Sequence, residues 1–98
     1  MILVKVTQDD IDKALDIYRK ALIRGHYRRS NYCPIALALK RLRPGTPIAV
    51  GTCYCDFGNK IYKLPHVAQE AVANFDAGKK VTPFAFNLFN DTRPIPVS

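Results

Sequence analysis

Residues that form turns and helix caps divide this chain at short intervals, and no other feature restricts its fold more. Pro34 suits the first turn of a helix, because a proline lacks the N–H that would stay unpaired there. Pro44-Gly45 and Gly58-Asn59 are typical turn sequences. Each segment between such signals has room for one helix or one strand, so a series of short elements is predicted.

The hydrophobic pattern assigns a type to each segment. Alternating apolar residues predict strands, and an apolar stripe at helical spacing predicts helices. Thr7 and Cys33 are expected to cap the N-termini of the first two helices, and Gly25 and Gly78 to close the first and the third. The predicted elements are a strand over 2–6, a helix over 8–24, a helix over 34–43, a strand over 47–57, a hairpin arm over 60–64, a helix from Pro65 and a strand over 82–89.

This order predicts an α+β domain of the β-α-α-β-β-α-β type, in which helices pack on one face of a small antiparallel sheet of about four strands. The first and last strands are able to pair with each other in the middle or at an edge of the sheet. A chain of 98 residues is too short to bury a second core. Residues 1–90 are therefore predicted to form a single globular domain, and residues 91–98 an extended tail.

Composition and cysteine usage bear on the compartment. The chain is 48% hydrophobic and 23% charged, which is near the average for a soluble globular domain. Its first residues lack the charged leader and the long apolar stretch of a signal peptide, and no apolar run is long enough to span a membrane. Cys53 and Cys55 are poorly placed to pair with each other, so free thiols are expected. A cytoplasmic protein without a membrane partner is predicted.

Positive charge is concentrated in the first half of the chain. Between Asp16 and Asp56 there are eight lysines and arginines and no acidic residue, and the formal net charge is +7. Such a surface attracts phosphates or the carboxylates of a protein partner. Cations at helix C-termini are also stabilising without any ligand, so part of the set has a purely structural alternative. The predicted partner-binding residues are Arg19, Lys20, Arg24, His26, Tyr27, Arg28, Arg29, Tyr32, Lys40, Arg41 and Arg43.

Cysteine chemistry is a weaker candidate. A thiol at a helix N-terminus near arginines should have a lowered pKa, which applies to Cys33, but a nucleophile also needs a base, and only His26 and His66 are available. The three cysteines with a histidine could hold zinc, yet the usual Cys-x-x-Cys spacing is absent. We therefore predict no catalytic residue, no metal, no cofactor and no small-molecule substrate.

Aromatic residues offer another possible contact with a ligand. Phe84, Phe86 and Phe89 lie on the last predicted strand and could stack on nucleic-acid bases. An alternating aromatic strand is more often a core strand, and this is the interpretation we favour. Tyr54 and Tyr62 are expected to stand opposite each other across the hairpin as packing partners.

Parts of the sequence resemble a family of small tailed-phage proteins that occur as short accessory genes. The similar segments are Lys5–Ile11, Asn31–Lys40, Tyr62–Pro65 and Phe75–Phe86, within residues 3–89 or so. The most specific parts are Cys-Pro-Ile-Ala-Leu-Ala and the Phe-Asp-Ala-Gly…Pro-Phe-Ala-Phe ending. The family pattern carries no catalytic motif, and this chain departs from it in its longer, more basic segment from Asp16 to Tyr32. The resemblance implies inhibition or redirection of a host complex, including defence systems such as CRISPR effectors.

Charge and resemblance together predict a non-enzymatic phage-type accessory protein. It is expected to bind, and to inhibit, a host protein–nucleic-acid complex through its basic surface, and an anti-CRISPR protein is the sharpest form of this hypothesis. It would then act in the host cytoplasm. The alternative is a small basic regulator that binds bare DNA or RNA. A pocket for an anionic nucleotide is not supported, since the chain has no Gly-rich phosphate loop.

Overall fold

The computed structural model describes residues 2–24 and 32–90. The Gly25 cap and the extended tail were predicted for residues that lie outside these ranges. In chain order the described elements are β1 (Ile2–Val6), α1 (Gln8–Arg24), α2 (Pro34–Leu42), β2 (Ile48–Val50), β3 (Tyr54–Phe57), β4 (Lys60–Lys63), α3 (His66–Asp76) and β5 (Phe84–Asn90). The predicted α+β class is confirmed.

The strands form one antiparallel sheet in the order β1-β5-β4-β3-β2. β5 joins its two parts: residues 84–88 pair with β1, whereas Phe89 and Asn90 pair with Lys63 and Tyr62 of β4. The first and last strands therefore pair, and β1 lies at the edge. Gly58, with a φ of +68°, begins the turn that joins β3 to β4, as the Gly58-Asn59 signal predicted.

The prediction of a single strand over residues 47–57 is wrong. A turn at Thr52-Cys53 divides it into β2 and β3, and the Gly51 N–H donates to the Tyr54 carbonyl at 2.8 Å. The physical reason is burial. Val50 and Cys55 are an odd number of residues apart, so in one continuous strand their side chains would point to different faces. The turn instead pairs the two residues across β2 and β3, and both side chains are buried on the same face. The sheet thus has five strands instead of about four.

Both predicted N-terminal caps are present. The Thr7 hydroxyl accepts from the Asp10 N–H at 3.2 Å, and the Asp10 carboxylate accepts from the Thr7 N–H at 3.0 Å, which is a capping box with aspartate in place of glutamate. At the start of α2 the Cys33 sulfur accepts from the Ala36 N–H at 3.4 Å, and Pro34 follows it. Each cap gives a partner to backbone N–H groups that the start of a helix otherwise leaves unpaired.

The core lies on one face of the sheet, which we call the inner face. Alternate strand residues, such as Val4, Phe86 and Tyr62, are buried there in one cluster with the apolar sides of all the described helices. Ile35 and Leu39 of α2 are almost fully buried at its centre. The other strand residues lie on the opposite side of the sheet, which we call the outer face, and no described helix covers it.

Candidate binding surfaces

Arg41 is the predicted site residue with the most contacts in the described structure. Its guanidinium donates to both carboxylate oxygens of Asp10, at 2.8 Å from Nη2 and 3.3 Å from Nε, and Nη2 also donates to the Lys5 carbonyl at 2.8 Å. The Asp10 side chain is only 4% exposed, and that of Arg41 is 51% exposed. Arg41 thus connects the C-terminal end of α2 to the start of α1 and to β1.

The electrostatics of this pair indicate a structural role. Burial on its own raises the pKa of Asp10, but the hydrogen bonds from Arg41 and Thr7 outweigh it, and the pKa lies below its ordinary value. The same hydrogen bonds, together with the negative charge of Asp10, raise the pKa of Arg41. Asp10 neutralises Arg41 where the two meet, so folding alone accounts for this cation.

Three of the other described cations, Lys20, Lys40 and Arg43, have local partners of varied kinds. Lys20 pairs with Asp16 one helical turn away at 2.9 Å, and both side chains are exposed. Lys40 lies 4.2 Å from the centre of the Tyr32 ring, and the Arg43 guanidinium lies 5.1 Å from the centre of the buried Phe57 ring. A cation over a ring keeps its full charge. These two side chains therefore still add to the positive field of the surface.

Of the predicted partner-binding residues, the described cations of α1 lie apart from Arg41. Arg41 lies beside Asp10 in the first turn of α1, whereas Arg19 and Lys20 lie at least nine residues further along that helix, about 14 Å away at the rise of an α-helix. His26, Tyr27, Arg28, Arg29 and the side chain of Arg24 lie outside what the structure describes. Binding by the basic segment is therefore still a prediction, and the described residues belong to the parts of the segment on either side of residues 25–31.

The three cysteines differ sharply in exposure. Cys33 and Cys55 are buried, and Cys53 is exposed in the turn between β2 and β3. Burial, followed by the charges of Asp56 and Cys33, raises the pKa of Cys55 to about 12, so its thiol stays protonated at neutral pH. The predicted capping role of Cys33 is confirmed by its bond to the Ala36 N–H. Within residues 2–24 and 32–90, His, Cys, Asp and Glu side chains form no group of three that could hold a metal ion.

The outer face carries an exposed row of residues that crosses three strands. Phe89 of β5 is paired with Lys63 of β4, and Lys63 is in turn paired with Tyr54 of β3. Residues paired in this way point to the same face, so Lys63 stands between two ring-bearing positions. We call Phe89, Lys63 and Tyr54 the aromatic row. Phe89 is 60% exposed, Tyr54 is 42% exposed, and the neighbouring Leu3 is 52% exposed.

Sequence reasoning did not find the aromatic row as a unit. It grouped Phe89 with Phe84 and Phe86, but Phe89 is an odd number of residues from both and so points to the other face. The expected packing of Tyr54 against Tyr62 is wrong, because Tyr62 stands opposite Cys55 and is buried. The odd spacing of Phe89 was the available signal. The identity of its neighbours depends on the strand order, which pattern alone does not fix.

Comparisons with known proteins add no relative to this description. A scan against protein-family models and searches of curated proteins and of solved structures found no match. None of the helices that the structure describes is long and apolar enough to cross a membrane.

Proposed function

We propose that this chain is a non-enzymatic accessory protein that binds a nucleic-acid-containing assembly through the basic segment between Asp16 and Asp56. The observation that carries the proposal is the absence of any acidic residue among eight cations in that interval. Of the carboxylates that the structure describes, none forms an ion pair with Arg19, Lys40 or Arg43. A positive field of this kind raises the rate and the affinity of binding to phosphates.

We expect Arg28 and Arg29 to supply most of the binding energy of the segment. Arg41 is engaged by Asp10 and Lys20 by Asp16, so these two contribute least. Arg28 and Arg29 belong to the stretch Gly-His-Tyr-Arg-Arg-Ser-Asn-Tyr, in which rings that can stack on bases or on guanidinium groups stand on both sides of the two arginines. We infer that this stretch makes the central contacts and that Lys40 and Arg43 flank them.

The sharper form of the proposal is a phage-type protein that inhibits a host defence complex, such as a CRISPR effector. Its support is the resemblance described above, and it is an analogy. The most specific motif, Cys-Pro-Ile-Ala-Leu-Ala, supplies the helix cap and the buried side of α2. Folding therefore accounts for the motif, and target choice falls to the basic segment, where this chain departs from the family.

A charge-reversal experiment tests the proposal. The variant Arg28→Glu/Arg29→Glu and the matched control Lys79→Glu/Lys80→Glu lower the net charge equally, and both control residues are exposed after α3. Affinity purification from a bacterial lysate, with and without nuclease, should recover the same assembly with the wild type and the control but not with the arginine variant. Equal recovery by both charge-reversal variants would refute a specific role for the segment.

The alternative function is direct binding of bare DNA or RNA by a small regulator, and the exposed aromatic row favours it. A mobility-shift titration of the purified protein at two salt concentrations separates the two. Tight binding that weakens steeply with salt indicates phosphate contacts and supports the regulator. Absence of binding to bare nucleic acid, together with recovery of an assembly from lysate, supports a target that includes protein.

A further inference from the structure

We propose that the outer face of the sheet is a second binding surface, which takes single-stranded nucleic acid by stacking bases on Phe89 and Tyr54. It lies on the opposite side of the sheet from α1 and α2, and so it is distinct from the described cations that these helices carry. Binding at this surface depends on the aromatic row and does not require Arg28 or Arg29.

The geometry of the row fits a strand with unpaired bases. Phe89, Lys63 and Tyr54 lie side by side on three adjacent strands, so the two ring-bearing positions are about 10 Å apart across the sheet. Lys63 occupies the position between them. Single-stranded nucleic acid that crosses the sheet can place one base on each ring and a phosphate near the ammonium group. Proteins that bind single-stranded nucleic acid on a β-sheet use this arrangement.

The exposure of Phe89 is unusual, because β5 lies between two other strands and not at an edge of the sheet. Phe86 and Leu88 of the same strand point to the inner face and are almost fully buried. Phe89 points to the outer face and is 60% exposed. Tyr54 and Leu3 extend the same exposed area, and no helix among the described elements covers it. Exposed apolar patches of this kind commonly mark interaction sites.

Charge and exposed rings together favour single-stranded nucleic acid over a second copy of the chain and over a duplex. The apolar area is interrupted at its centre by Lys63, and a second lysine, Lys5, lies on the outer face of β1. A second copy of the chain would bring like charges together, because the net charge is +7. Duplex nucleic acid keeps its base faces stacked internally and could not use the rings. Asp56, on the same face of β3, could accept a hydrogen bond from an exocyclic amino group of a base.

A tryptophan probe tests the stacking directly. The chain contains no tryptophan, so Phe89→Trp introduces a single reporter at the proposed contact. Val67→Trp is the matched control, since Val67 is 44% exposed on α3. Addition of a short oligothymidylate should quench the Phe89→Trp emission, because a stacked base quenches indole, and should leave the Val67→Trp emission unchanged. Absence of quenching at Phe89, or equal quenching at both positions, would overturn the proposal.

Affinity measurements on ring variants give an independent test. Phe89→Leu and Tyr54→Leu keep apolar bulk but remove the ring, and each should weaken binding of labelled oligothymidylate about 5- to 150-fold. Phe89→Tyr keeps the ring and should bind like the wild type. Lys63→Gln should reduce the salt dependence by about one phosphate contact. Thermal unfolding checks that each variant folds.

The outcomes separate this proposal from the proposed function. Three results would each overturn base stacking: unchanged affinity of both leucine variants, equal quenching of the Phe89→Trp emission by duplex DNA, and equal quenching by polyglutamate. The last of these would indicate an acidic protein partner. If the wild type binds no oligothymidylate yet recovers an assembly through Arg28 and Arg29, the outer-face proposal fails and the proposed function stands. If the ring variants lose oligothymidylate while Arg28→Glu/Arg29→Glu still recovers the assembly, the reverse holds.

Discussion

The ion pair between Asp10 and Arg41 should be a major contributor to stability, and a double-mutant cycle with Asp10→Ala and Arg41→Ala measures it. Asp10→Ala removes the capping interaction with Thr7, worth about 1 kcal/mol. It also removes the charged hydrogen bonds to Arg41, worth about 1.5 to 3 kcal/mol. We therefore expect Asp10→Ala to lower the free energy of unfolding by about 3 kcal/mol.

Arg41→Ala should cost less than the loss of a partner from a fully buried pair. It leaves the Asp10 carboxylate, whose side chain is 4% exposed, with the Thr7 N–H as a remaining donor. The half-exposed position of Arg41 gives water access from that side, so a cost of about 2 kcal/mol is expected, below the roughly 3 to 5 kcal/mol of a buried pair. The coupling energy of the cycle should be about 1 to 2 kcal/mol.

Urea unfolding at neutral and acidic pH provides the assay. The pKa of Asp10 is lowered by folding, so its contribution is complete above the unfolded-state value of 3.8 and is lost as the pH falls through the folded-state pKa. The stability difference between wild type and Asp10→Ala should shrink over that range. A coupling energy below about 0.5 kcal/mol, typical of exposed pairs, would refute the structural role. Loss of partner binding by Arg41→Ala at unchanged stability would instead return Arg41 to the binding surface.

Two further predictions follow from the turn and from the thiols. Gly58→Ala should lower the free energy of unfolding by about 1 to 2 kcal/mol, because Gly58 has a φ of +68° that disfavours a side chain, and an unchanged urea midpoint would contradict this. An aromatic disulfide reagent at mildly alkaline pH should react quickly with the exposed Cys53 alone, and with all three cysteines of the chain only in denaturant. Rapid reaction of a second thiol in the native protein would contradict the burial of Cys33 and Cys55.

Local signals predicted the elements of this fold well where a side chain acts on its own neighbours. Thr7 and Cys33 cap the helices that their positions indicated, and Gly58 turns the chain between β3 and β4. These interactions connect residues only a few positions apart, so the sequence contains all the information they need.

Interactions between distant segments could not be predicted in the same way. Asp10 and Arg41 are 31 positions apart, and the sequence pattern contained nothing to pair them. The division of 47–57 by a turn depends on the competing burial of Val50 and Cys55 against one core. The aromatic row depends on strand order, which places Phe89, Lys63 and Tyr54 side by side only after the chain has folded.

The position of β5 has a consequence for how the domain is made. This strand is the last described element, yet it lies between the first strand and β4. A nascent chain on the ribosome can form α1 and the local hairpins early, but it cannot join β1 to the rest of the sheet before residues 84–90 have emerged. Completion of the sheet thus requires contacts of high sequence separation, which slow folding. Until then no strand pairs with Val4 and Val6, and a chaperone would bind the nascent chain at this unpaired strand.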